Sequence, residues 1–183
     1  IAQVRKAFDM MCERALSRET RTGPLASLGV VQEQIADSWI EIEQFRLLVL
    51  RTAWKIDRYH DYQKVRRDIA AVKVAMPKVL HDVVLRAMQL HGSLGVSDEM
   101  PFVKMLVASQ SLAIADGPTE VHKLTVARRT LREYEPVATL FPPSLRLLTP
   151  FMNITGAFAL ILGAVFSTYV FMPKKRVLAY SLD

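Results

Sequence analysis

The chain has 183 residues, 51% apolar, 23% charged and 8% aromatic, with seven Gly and nine Pro. That is too apolar for a disordered polymer and too poor in Gly and Pro for a low-complexity one, and the length suits one domain with an appendage. The net charge of +6 splits evenly, with 20 Lys/Arg against 17 Asp/Glu in residues 1–136 and 4 against 1 beyond; no basic stripe with interleaved aromatics emerges, and nucleic acid is not an expected partner.

Residues 1–18 read as a helix, and an Ile at position 1 is the expected start of a fragment or a processed chain. The single cysteine, Cys12, excludes an internal disulfide or a thiolate metal cage and reads as a small buried hydrophobe. Thr22, Gly23, Pro24 and Gly29 break the pattern and predict a loop over 19–29. From Gln32 to about Tyr59, Ile35, Trp39, Ile42, Val49, Ala53 and Ile56 recur at helical spacing and predict one buried stripe. From Gln63 to His91 a second stripe runs through Ile69, Val72, Met76, Val79, Val83, Ala87 and Leu90, with Pro77 predicting a kink. Gly92 to Gly95 stop that helix, a fourth runs from Pro101 to about Ala115, and a fifth follows Asp116, Gly117 and Pro118. The fold class expected is therefore all-α, an antiparallel helical bundle over 1–136.

Beyond Pro136, prolines mark a linker over 137–150, and residues 151–172 form 22 uncharged positions followed by Lys174, Lys175 and Arg176 in a basic tail, 173–183. That length fits a transmembrane helix, so a single-pass membrane location is expected, with the membrane as a partner.

No metal, hydrolase or nucleotide motif is present: the four histidines lack ligand spacing, and they read as surface or helix-capping residues. Local physics reads Asp116 as an N-cap, with Pro118 and Glu120 in the first helical turn. A carboxylate at a helix junction beside a glycine is also a sensible place for a base.

The segment Gln89-Leu90-His91-Gly92-Ser93-Leu94-Gly95, then Pro101, then Asp116-Gly117-Pro118-Thr119-Glu120-Val121-His122 resembles the C-terminal helical domain of the acyl-CoA dehydrogenase superfamily. It is most similar to the subgroup with Asp-Gly-Pro at the base motif, and the likeness covers about residues 1–134. The resemblance implies flavin-dependent α,β-dehydrogenation of an acyl-CoA thioester, as in fatty-acid oxidation, with FAD as cofactor and a homo-oligomer, dimer or tetramer, as the assembly. It implies Asp116 as the catalytic base and Gly117 as a substrate contact. It implies FAD contacts at Arg18, Gln89, Leu90, His91, Gly92, Ser93, Pro118, Thr119 and Glu120, and no metal. The corresponding location is mitochondrial, peroxisomal or bacterial cytoplasmic.

Three departures stand out. Arg21 and Thr22 occupy the family's Phe-Gly positions, Ser93 replaces a second Gly, and no counterpart of the family's N-terminal helical domain or β-barrel is found in the sequence. The isolated chain is thus expected to be an incomplete enzyme. The alternatives are a non-enzymatic, membrane-anchored interaction module on the same scaffold, or a fragment or mis-joined gene product.

Overall fold

A computed structural model describes residues 1–134. In chain order these form α1 (Ala2–Ser17), a two-residue antiparallel ladder β1 (Glu19–Thr20) and β2 (Gly23–Pro24), α2 (Gly29–Tyr59), α3 (Tyr62–His91), α4 (Phe102–Ile114) and α5 (Thr119–Leu131). The ladder occupies the predicted loop. Thr20 builds it, because its hydroxyl donates to the Gly23 carbonyl at 2.6 Å and accepts the Thr22 N–H at 3.2 Å. Such local side-chain bonds are turn chemistry, and hydrophobic alternation cannot reveal them.

The compact unit Ile1–Thr130 is organised around α3. Its core joins Val4, Ala7, Phe8 and Met11 of α1, Ile42 of α2, Leu80, Val83, Val84 and Ala87 of α3, and Phe102 and Met105 of α4. Each large side chain in that set contributes about 1.5–3 kcal/mol of burial free energy. The expected stripe on α3 holds at Val83 and Ala87, which are fully buried, while Ile69, Val72, Met76, Val79 and Leu90 are only half-buried. Helix α3 runs unbroken through a buried Pro77.

Ion pairs set the helix directions. On α2 and α3, Asp68 is buried and accepts from Arg51 at 2.8 Å and Lys55 at 3.1 Å, while Arg86 grips Glu41 through two bonds of 2.9 and 2.8 Å. Early α2 thus faces late α3, and the two are antiparallel. Between them His60 ends α2 in a left-handed conformation, φ 48°, and the Asp61 carboxylate caps α3 by accepting the Gln63 N–H. Arg5 meets Glu43 at 3.2 Å, so α1 is antiparallel to α2 and parallel to α3. At the end of α3 the chain turns through Gly92 into a short 3-10 segment. Gly95 lies so close to α3 there that a Cβ would collide with the Met88 carbonyl.

The face that α2 buries differs from the predicted one. Val31, Ser38, Ile42, Phe45 and Thr52 are buried, with Ile35 and Val49 half-buried between them, whereas Trp39, Ala53 and Ile56 are exposed. Ser38 and Thr52 are tolerated inside because each hydroxyl donates to the carbonyl four residues back, at 2.7 Å.

The membrane expectation is corrected. Among the described residues no helix is long and apolar enough to cross a membrane. The expected linker, span and basic tail, residues 137–183, lie outside the described residues. An apolar run satisfies the length criterion for a span without establishing one. The architecture is the helical bundle alone, and the single-pass location and the membrane partner are withdrawn with the span.

Candidate active site

Helix α4 ends where Ala115 donates its N–H to Ser111 and the chain enters a left-handed turn, φ 55° at Asp116 and 102° at Gly117. Asp116 therefore does not cap α5. Thr119 is the first helical residue, and the Pro118 carbonyl accepts the N–H of Val121 at 3.0 Å. Two side chains fasten the turn. The Thr119 hydroxyl donates to Ala113 at 3.1 Å, and His122 Nε2 donates to the backbone carbonyl of Asp116 at 3.2 Å. An aspartate accepts left-handed geometry more readily than most residues, and the mirror-region φ at position 117 asks for glycine. A Cβ there would also lie 3.4 Å from His122 Nε2. The carboxylate of Asp116 is exposed, and no hydrogen bond to it is found among the described residues.

A second group lies at the ends of α1 and α3. Arg18 caps α1 in an extended conformation, with its side chain exposed. Gln89 accepts the Gly92 N–H on its carbonyl, Leu90 packs against the core, and Gly92 and Ser93 are exposed. His91 is neither a surface nor a capping histidine. It is 6% exposed, donates Nδ1–H to the Ala87 carbonyl at 2.7 Å, and sets its ring edge-on to Phe102 at 4.8 Å. Its side chain is committed to the core, so only its backbone can serve a ligand.

The two groups sit at different ends of the bundle. His91 touches Phe102 at the start of α4, while Lys73 Nζ donates to Leu112 at its end, at 2.9 Å. Eighteen residues of α3 separate those contacts, a rise of about 27 Å. Because α1 is parallel to α3, Arg18 belongs to the His91 end. The Asp116–Gly117 turn, with Pro118, Thr119 and Glu120, belongs to the other.

Nothing else among the described residues competes as a reactive centre. Burial, then the nearby Asp9 and Glu13, push the half-buried Cys12 thiol upward, away from the reactive thiolate. No cluster of three metal-ligating side chains occurs there. The one contact the sequence reading missed is the His122 bond to Asp116, although both residues stand inside the motif.

Over residues 1–131 the chain matches the family profile described as "Acyl-CoA dehydrogenase, C-terminal domain". The chain belongs to the acyl-CoA dehydrogenase family. It is 41% identical over 126 residues to the probable acyl-CoA dehydrogenase FadE2 of Mycobacterium tuberculosis, covering 69% of this chain and 31% of that protein. Its fold matches a putative acyl-CoA dehydrogenase from Mycobacterium abscessus at TM-score 0.70 and 38% identity, over 73% of this chain and 32% of that one. It matches the butyryl-CoA dehydrogenase of Megasphaera elsdenii at TM-score 0.66 and 25% identity, over 71% and 33%. The chain thus spans about a third of the length of these relatives, and the part it matches is the helical domain.

Proposed function

We propose that this domain supplies the base and part of the FAD site of an acyl-CoA dehydrogenase, removing the α-proton of an acyl thioester. The carrying observation is the turn itself: an exposed Asp116 carboxylate on a left-handed, doubly fastened junction, inside the Asp-Gly-Pro motif of the family. An α-proton of a thioester is weakly acidic, so Asp116 Oδ must meet it directly, at hydrogen-bonding distance or nearly so. Asp is one methylene shorter than Glu, and the turn rather than the side chain must make up the reach. Gly117 leaves room for the substrate backbone to pass beside the carboxylate. In this chain alone Asp116 faces water. The dry surroundings that raise a base's strength would come from substrate and from surfaces packed over the turn.

The residues at the other end fit the phosphate part of FAD. Gly92 has φ 63° and no atom within 4 Å of where a Cβ would stand, leaving open backbone beside the exposed Ser93. Arg18 offers a planar, permanently charged fork suited to a pyrophosphate. Gln89, Leu90 and His91 would contribute mainly backbone, and Pro118, Thr119 and Glu120 would line the opposite end. Bound FAD would accept the hydride from the β-carbon as the α-proton leaves. With the two groups so far apart, one copy serves one end of a cofactor while a second copy serves the other, which fits a homo-oligomer.

The test joins this chain at residue 1 to the N-terminal two thirds of the mycobacterial relative. With Asp116→Asn, flavin bleaching by acyl-CoA should fall on the order of 1,000-fold while FAD content is unchanged. Turnover within threefold of the parent would end the assignment.

A further inference from the structure

Helix α2 carries a second apolar stripe that nothing in the described chain covers. Ala36, Ile40, Glu43, Leu47, Leu50 and Trp54 follow one another at alternating spacings of four and three, a coiled-coil seam. Ile40, Leu47, Leu50 and Trp54 are 46–64% exposed, and Trp39 flanks them at 52%. The inward stripe through Ser38, Ile42, Phe45 and Thr52 already holds the bundle together, so the outward one is surplus to the fold. Contiguous exposed apolar surface of that kind marks an interaction site.

The sequence of α2 specifies the occupant. Residues 29–44 hold Glu33, Asp37, Glu41 and Glu43 and no Lys or Arg, whereas residues 45–59 hold Arg46, Arg51, Lys55 and Arg58 against Asp57. Such a helix is complementary to itself when reversed. Antiparallel pairing centred near residue 45 sets Trp54 on Ala36 of the second copy, Trp39 on Ala53 and Ile40 on Leu50. Each large ring meets a small residue. It also faces Asp37 with Arg51, whose side chain is half exposed beyond its bond to Asp68. Parallel pairing would set acidic half beside acidic half and ring against ring.

We infer that the outward face of α2 is a two-fold interface with a second copy of this chain, formed by antiparallel pairing of the two α2 helices. The area, on the order of 1,000 Å² in total, lies at the lower end of specific interfaces. The inference rests on the reading that the chain self-associates, and it is independent of the role of Asp116.

The full chain in a Cys12→Ser background tests it by sedimentation and oxidative cross-linking. The parent should dimerise, and Leu47→Glu should weaken the dimer at least tenfold while helicity by circular dichroism is unchanged, because Leu47 lies outside the core. Ile40→Cys with Leu50→Cys in one chain should cross-link the dimer, and each alone should not. Cross-linking by either single variant would mean parallel pairing and overturn the inference. A dimer indifferent to Leu47→Glu would overturn this surface while leaving self-association intact. A monomer at about 100 µM would overturn both, including the case in which residues 137–183 cover the α2 face.

Discussion

Helices α3 and α5 belong to one domain and obey opposite rules. Nine residues of α3 are buried, from Val65 to His91, and they touch every layer of the bundle. None of α5 is buried. It is attached by the Thr119 and His122 bonds at its start and by Arg129, which donates to the Gln63 carbonyl at 2.6 Å and to its side chain at 2.8 Å. A few exposed polar bonds contribute about 1 kcal/mol each, far less than a row of buried side chains. The domain thus keeps its stability in α1 to α4 and places the proposed base on the margin, at the junction with its least buried helix. Local stability follows local burial, and reactive segments are drawn from its low end.

The largest expected effect lies on the α3 side of that contrast. Phe102 is fully buried and holds the His91 ring. Phe102→Ala should destabilise the chain by about 3–5 kcal/mol in urea unfolding, since it removes a large ring and leaves a cavity. A loss below about 1 kcal/mol would mean that the α3–α4 contact is not structural.

A smaller effect is expected at the other end. Gly117→Ala puts a Cβ into a φ of 102°, beside His122 Nε2. The strain, about 1–2 kcal/mol, should be relieved by fraying α5 rather than by global unfolding. The unfolding midpoint should therefore barely move while α5 amides exchange faster. An equal fall in both would place α5 within the cooperative core.

The smallest is electrostatic. Burial pushes the Asp82 carboxyl upward, but hydrogen bonds from Lys78 and His81, with their charges, outweigh it and hold it below the usual carboxylate range. A depressed acid stabilises the fold above its unfolded value near pH 4 and loses that contribution as pH falls through the lower folded value. Lys78 is largely exposed, so the amplitude should be only a few tenths of a kcal/mol. Asp82→Asn should flatten that part of the acid limb, and an unchanged limb would show that the group contributes nothing.

The same contrast explains what the sequence disclosed. Helix boundaries and the paired motifs were legible because glycines, prolines and spacing act locally. The buried face of α2 was not, because that helix carries two apolar stripes with the same period. Trp39, Ala53 and Ile56 match helical spacing as well as Ser38 and Thr52 match the core, and periodicity does not say which stripe is covered. The ladder at Glu19–Thr20 depended on one threonine hydroxyl. At the candidate site the residue types were legible and their geometry was not. Asp116 looked like a cap and lies in a left-handed turn, and His91 looked superficial and is buried. The tail beyond residue 134 was read from length alone, and the described residues contain no span.

Hydrogen exchange on the intact chain tests the central contrast most directly. Amides of α3 around the buried Leu80, Val83, Val84 and Ala87 should be protected at least about 100-fold more than those of α5 between Val121 and Thr130, as expected when opening is local rather than global. Equal protection of the two helices would contradict the account, because α5 would then share the stability of the core and the proposed base would not stand on the domain's loosest junction.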